Sequence, residues 1–211
     1  MPKSTGFALM LSVATLLGCS STVLVPVPPR MELKSYGTLG IVEFASSAGP
    51  AVGARATREF QAHIHAAQPG TGILELGSRE ALLAAVGSRE LDAEALRRIG
   101  EKHGVSAIFL GDLIYSEPKT DVHVTDINKL EGGVRTEVRG DISSRLVETR
   151  TGASVWSSSA WARRQVGRLN VSAERGVSGA MRSADPREEM VPALMYHLTE
   201  DFRPSAVRQK K

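Results

Sequence analysis

Only one cysteine occurs in the 211 residues, at position 19. A lone thiol excludes an internal disulfide and a cysteine-ligated metal site. Aromatic residues make up 5% of the chain, and basic residues are scattered, grouped at most into pairs such as Arg97-Arg98, Arg163-Arg164 and Lys210-Lys211. With 26 basic against 23 acidic residues, the charge balance is close to neutral. No basic stripe interleaved with aromatics exists, so the electrostatic footprint of nucleic-acid binding is missing and no nucleic acid is expected as a partner. No apolar run reaches the roughly 20 residues of a membrane-spanning helix; the run from Phe7 to Leu17 stops at eleven.

Catalytic patterns are also missing. Neither Gly-x-Ser-x-Gly nor His-Glu-x-x-His occurs, and no glycine-rich phosphate loop links a strand to a helix. The five histidines are His63, His65, His103, His123 and His197. His63 and His65 fall on one expected helix two residues apart, which turns them about 200° from each other and prevents a shared metal. Acidic pairs such as Glu188-Glu189 and Glu200-Asp201 sit near expected helix ends, where solvated charge explains them. The chain is therefore expected to be no enzyme, with no catalytic, metal or cofactor-binding residue and no cofactor.

What is present begins at the N-terminus. Lys3 supplies a positive start, Phe7 to Leu17 an apolar segment, and Leu16-Leu17-Gly18-Cys19 a box of apolar and small residues ending in the lone thiol. The order is that of an export signal. The box resembles the cleavage and lipidation site of a bacterial lipoprotein, which implies removal of residues 1–18 and acylation of Cys19, palmitate being the expected kind of chain. Two or more acyl chains anchor stably, so the mature protein is expected to be tethered to a membrane rather than to span it. Ser20 follows the cysteine where an inner-membrane retention signal would place Asp. The resemblance thus implies the outer membrane, with the domain facing the periplasm or the cell surface.

Residues 19–37, with Pro26, Pro28 and Pro29, read as a lipidated, semi-stiff spacer. Residues 38–203 read as a single globular domain, and 204–211 as a frayed tail. Within the domain, Thr38 to Phe44 suits a buried first strand. Val52, Ala56, Phe60, Ile64 and Ala67 form one stripe of an amphipathic helix, which Pro69-Gly70 ends. Gly72 to Leu76 reads as a strand. Ser78 and Asp92 are expected caps of two further helices, stopped by Gly87 and Gly104. Val105 to Tyr115 is the most apolar strand, with Gly111 marking a bulge or a close backbone approach. Residues 116–134 are charged and broken, with one short alternating piece around Val122 and Val124. Val134, Val138, Ile142 and Leu146 then share one face, with Arg135, Glu137, Arg139, Asp141 and Arg145 on the other. The chain turns at Arg150-Thr151-Gly152 and returns through Val155 to Ala162, forming an antiparallel hairpin with one wet face. Residues 164–184 read as a mobile loop. A last helix starts at Asp185-Pro186 or at Pro192. The order β-α-β-α-α-β, then hairpin, then helix predicts an α/β (α+β) fold with a mixed sheet of about five strands and helices packed on it.

Three landmarks in this order carry a resemblance: the strand Gly40-Ile41-Val42-Glu43-Phe44, the stretch from Gly104 to Gly111, and the hairpin Leu146-Val147-Glu148-Thr149 with Thr151-Gly152-Ala153-Ser154-Val155-Trp156. Over roughly residues 38–202 the chain resembles the periplasmic domain shared by the curli-secretion lipoprotein and the lipoprotein activator of penicillin-binding proteins. Pro28-Pro29-Arg30, Gln68-Pro69-Gly70 and Asp201-Phe202-Arg203 are similar to segments of an uncharacterised group of proteobacterial lipoproteins. The resemblance implies that Gly111, Gly152 and Trp156 serve the fold, Gly152 at a tight turn and Trp156 over the core edge.

A secretion pore would require inserted hairpins with a lipid-facing alternation. Residues 116–134 carry Asp and Lys on both alternations, and 164–184 show no sustained alternation, so neither provides a lipid face. The expectation is a non-catalytic envelope protein that docks onto another envelope protein. Two alternatives stand beside it: a homo-oligomeric secretion ring, and a small-ligand-binding or hydrolytic lipoprotein.

Overall fold

The computed structural model describes residues 22–126, 131–172, 176–181 and 185–210. The leader, Cys19 and Ser20 lie outside the described residues. In chain order the elements are β1 (Thr22–Val27), β2 (Thr38–Ile41), β3 (Ala45–Ser46), α1 (Pro50–Ala67), β4 (Gly72–Glu75), α2 (Arg79–Val86) and α3 (Ala93–His103). They continue as β5 (Ala107–Tyr115), β6 (Lys119–Asp126), β7 (Glu131–Glu148), β8 (Ser154–Ser172), β9 (Gly176–Met181), α4 (Pro186–Leu198) and β10 (Ser205–Lys210).

Local chemistry accounts for the helices. The Ser78 hydroxyl accepts from Ala81 N–H and the Asp92 carboxylate from Ala95 N–H, satisfying donors that the first turn leaves free, while Gly87 and Gly104 close α2 and α3 in the left-handed conformation. The Asp185 carboxylate accepts from Arg187 N–H and Pro186 takes the first helical position. That cap places the start of α4 at residue 186, and Pro192 is carried inside the helix.

Residues 28–204 form one compact unit. Its eight-stranded sheet has the order β4-β2-β5-β7-β8-β9, with β3 beside β5 and β6 beside β7. Pairing is parallel among β2, β4 and β5 and antiparallel from β5 onwards, so the mixed α+β class holds. On one face α1 and α4 bury Leu39, Phe109, Ile142 and Leu146, and on the other α2 and α3 bury Ile108, Leu110 and Val147. Phe60 lies between Phe44 and Phe109, at 5.1 and 5.0 Å between ring centroids.

Three expectations are corrected. The sheet has eight strands rather than about five, because 116–134 and 164–184, read as broken or looped, contribute β6, β9 and the distal half of β8, and Ala45–Ser46 adds β3 beside β5. In β8 the alternation is broken opposite Thr136 and Glu137. Gln165 pairs with Glu137 and Gly167 with Thr136, so Val166 is an extra residue and the inward and outward positions exchange. Consequently these segments do present an apolar face. The second correction concerns the ends. The tail expected to fray is β10, paired antiparallel with β1 from the expected spacer, Val25 opposite Val207; the valines of both segments suit a ladder that only long-range pairing reveals. The rest of that spacer lies along the larger unit, where Leu33 is 0% exposed.

The third correction concerns Gly111. The β5–β7 ladder runs without a bulge from Ala107 to Tyr115, and what approaches Gly111 is the Phe44 ring, not backbone. A Cβ at 111 would stand 2.7 Å from a ring carbon. Gly111→Ala is expected to cost about 1–3 kcal/mol by overpacking, read as a lower urea midpoint at unchanged slope. Gly152 sits in the β7–β8 turn at φ +73°, a region other residues adopt only with strain, and donates its N–H to Glu148 O.

Candidate docking surface

Strand β8 has two tryptophans five residues apart, and an odd spacing sends them to opposite faces of the sheet. Trp156 points into the core. Its ring lies 4.6 Å from that of Phe202, and its indole N–H donates to Asp201 at 3.1 Å. It therefore lies at the core edge with its polar atom satisfied. Trp161 points to the opposite face and is 57% exposed. Reading only the hairpin's apolar positions misses Trp161; its parity with Trp156 is the signal that finds it.

Around Trp161 the cross-strand register assembles a mixed surface. Asp141 stands directly opposite Trp161, and Ile114 opposite Asp141, so the three lie in one row. The guanidinium of Arg139 is 5.2 Å and that of Arg163 is 5.3 Å from the indole centroid, within cation–π range. Arg139 also donates through Nε to both Asp141 oxygens, at 3.0 and 2.8 Å. That hydrogen-bonded carboxylate holds the Arg139 guanidinium above its usual range. Ser143, Ser157 and Ser159 continue the same face into a hollow of about 400 Å³ whose floor includes Leu110 and Asp112. Arg79 from α2 bonds Asp112 at 3.2 Å.

The backbone beside Trp161 is also available. Strand β8 pairs with β7 along its length, whereas β9 joins it only from Gly167 onwards. Among the described residues, the outer edge of β8 over 155–166 has no strand partner, and its N–H and C=O groups form a template for another strand. A groove of about 580 Å³ runs beside this edge between Ser158–Trp161 and the wall of His197, Glu200, Asp201 and Arg30. No proline interrupts residues 155–166.

Two further groups of catalytic type are held in structural hydrogen bonds. Ser116 and Lys119 stand at Ser-x-x-Lys spacing, but the Ser116 hydroxyl donates to Glu117 O and accepts from Arg139 N–H. Among the described residues no three His, Asp or Glu side chains converge as metal ligands. Burial pushes the Tyr115 hydroxyl up to about 12, and it donates to Arg187 O at 2.8 Å. A raised acid pKa means that the native state keeps its proton where the unfolded chain loses it. Tyr115 therefore supports stability below pH about 10, and that support is lost as pH rises towards 12. The expected result is a loss of stability over that window in alkaline titration, reduced in Tyr115→Phe.

No protein-family model matches the chain, and no curated protein does. Among solved structures, the chain is similar to the PelC dodecamer subunit of Paraburkholderia phytofirmans at 11% identity and a TM-score of 0.40, covering 87% of this chain and 98% of that one. It is similar to lipoprotein GNA1162 of Neisseria meningitidis at 14% identity and 0.38, covering 74% and 93%. It is also similar to the LpoB C-terminal domain of Escherichia coli at 12% and 0.36, covering 60% and 82%. Likeness at this level says nothing about activity or partner.

Proposed function

We propose that this chain is a lipid-anchored, non-catalytic envelope protein that docks another envelope protein by accepting an extended segment along the β8 edge beside Trp161. The observation that carries the reading is the coincidence of an unpaired edge over 155–166 with an exposed Trp–Arg cluster on the same strand. Strand addition supplies main-chain hydrogen bonds, and side chains next to the edge select the partner. Tryptophan and arginine are the residues on which binding energy concentrates at protein interfaces. Acylation at Cys19 keeps the domain at the outer membrane, where the partner is met.

The test is quantitative recovery of a cross-linked partner from the host's envelopes. Trp161→Ala is expected to reduce recovery at least 30-fold, a loss of about 2 kcal/mol, with thermal unfolding unchanged because the side chain is exposed. Cys19→Ala is expected to leave the soluble domain competent but mislocalised, and mass spectrometry of the wild-type N-terminus should find acyl chains on Cys19. Recovery of the chain with itself alone, in ring-sized assemblies, would replace the docking reading with the homo-oligomeric one.

A further inference from the structure

Beyond α4 the sheet continues as a four-stranded extension, β6-β7-β8-β9, with two unlike faces. Register places Val122 opposite Val134, Val134 opposite Leu169, and Leu169 opposite Gly179. One face thus collects Val122, Val124, Val134, Val166, Leu169 and Val177. Val122 is 69% and Val177 67% exposed. The other face carries Lys119, Asp121, His123, Arg135, Glu137 and Arg168. A hollow of about 480 Å³ on the apolar face is lined by Val134, Val166, Leu169 and Gly179, with Thr136 and Arg168 beside them. An amphipathic antiparallel sheet is ordinarily covered on its apolar side, and an aliphatic patch of this kind marks an interaction site.

We propose that this face rests on the surface of a phospholipid bilayer, at the headgroup–acyl boundary. Three observations select lipid over protein. The face is mainly aliphatic, its Thr120 and Thr136 hydroxyls bond each other at 3.2 Å, and it holds no Trp or Tyr, with Arg168 the one arginine lining its hollow; the aromatic and arginine anchors of protein interfaces are concentrated instead around Trp161. Four strands at about 4.8 Å and about six residues at 3.3 Å give roughly 400 Å². Two such faces together would bury about 800 Å², below the roughly 1,200 Å² of a stable dimer. Lastly, the charged opposite face suits an element lying in the interface with one side in water.

The same geometry limits the depth. A face about 20 Å tall is shorter than a hydrocarbon core of about 30 Å. Among the described residues the outer edges of β6 and β9 have no strand partner, and unpaired backbone is costly in hydrocarbon. The extension therefore lies on one leaflet and does not cross it. Lipidation at Cys19 supplies only the reason to be near a bilayer, so the surface is testable without it.

The experiment uses the full mature chain with Cys19→Ser, which removes the anchor and the only thiol. Vesicles of dioleoylphosphatidylcholine, with and without dioleoylphosphatidylglycerol, are the probe. The chain is expected to co-float with both, and binding is expected to survive 0.5 M salt. A polarity-sensitive dye at Val124→Cys should shift to the blue and be quenched by lipids brominated near the headgroup, while the same dye at Asp121→Cys should stay in water. Val122→Asp with Val177→Asp should lower binding at least tenfold at unchanged thermal stability. Trp161→Ala should leave vesicle binding unchanged, which separates this face from the docking edge. The proposal is overturned by no flotation, by binding confined to anionic vesicles and abolished by salt, by quenching from the bilayer centre, or by a solution dimer that the double aspartate variant dissociates.

Discussion

Phe60→Ala is expected to lower stability by about 4 kcal/mol and the melting temperature by roughly 10 °C. Phe60 is fully buried, and its ring bridges two layers. It contacts Phe44 between β2 and β3, Phe109 on β5, and Phe202 at 6.3 Å in the turn after α4. Removing it leaves a cavity bounded by three rings that are themselves pinned: Phe44 lies over Gly111, and Phe202 packs on Trp156. Collapse into the space is therefore restricted, which places the cost at the upper part of the range for large-to-small core changes. Chemical denaturation of the variant checks the figure. Phe60→Leu, which keeps most of the volume, should recover more than half of the loss.

Gln68→Ala should cost about 3 kcal/mol, concentrated in one segment. The buried side-chain amide of Gln68 ties residues 28–37 to the rest of the unit. Its Oε1 accepts from Leu33 N–H at 2.8 Å, and its Nε2 donates to Met31 O at 2.6 Å and Phe202 O at 3.1 Å. Truncation leaves three backbone groups without that partner, those of Leu33 and Phe202 in buried positions and that of Met31 half-buried, and each orphaned buried group carries a desolvation penalty. The expected signature is local: amide exchange at Met31 and Leu33 accelerates by orders of magnitude, while β5 and β7 keep their protection. Uniform loss of protection across the unit would mean that Gln68 holds the core rather than the strap.

These two residues show how far the sequence could be read. Phe60 stood on a stripe at spacings of four and three, so its burial was legible from local periodicity. The caps of α2 and α3, the Gly152 turn and the buried side of Trp156 were legible for the same reason, because each follows from near neighbours. Gln68-Pro69-Gly70 and Asp201-Phe202-Arg203 stood out only through resemblance, and their role needed the fold: Gln68 and Asp201 both hold the 28–33 segment, Asp201 through Arg30, Met31 N–H and the Trp156 indole. What was hidden depended on pairing across distance. The β1–β10 ladder joins the two ends of the described chain, and the extra residue Val166 reverses the alternation of β8 so that Leu169 joins Val122 and Val134 on one face. Trp161 was hidden because a hairpin read for its core side offers no reason to look at the other.

The docking account is tested most directly by a photoreactive amino acid placed at Ser159 on β8, with a control at the exposed Glu101 of α3, in cells carrying the otherwise native, anchored chain. The account predicts an adduct with one envelope protein from position 159 and none from 101. The cross-linked peptide of that protein should come from an extended segment, and the adduct should vanish in Trp161→Ala. Equal adducts from both positions, none from either, or only self-adducts from 159 would contradict it.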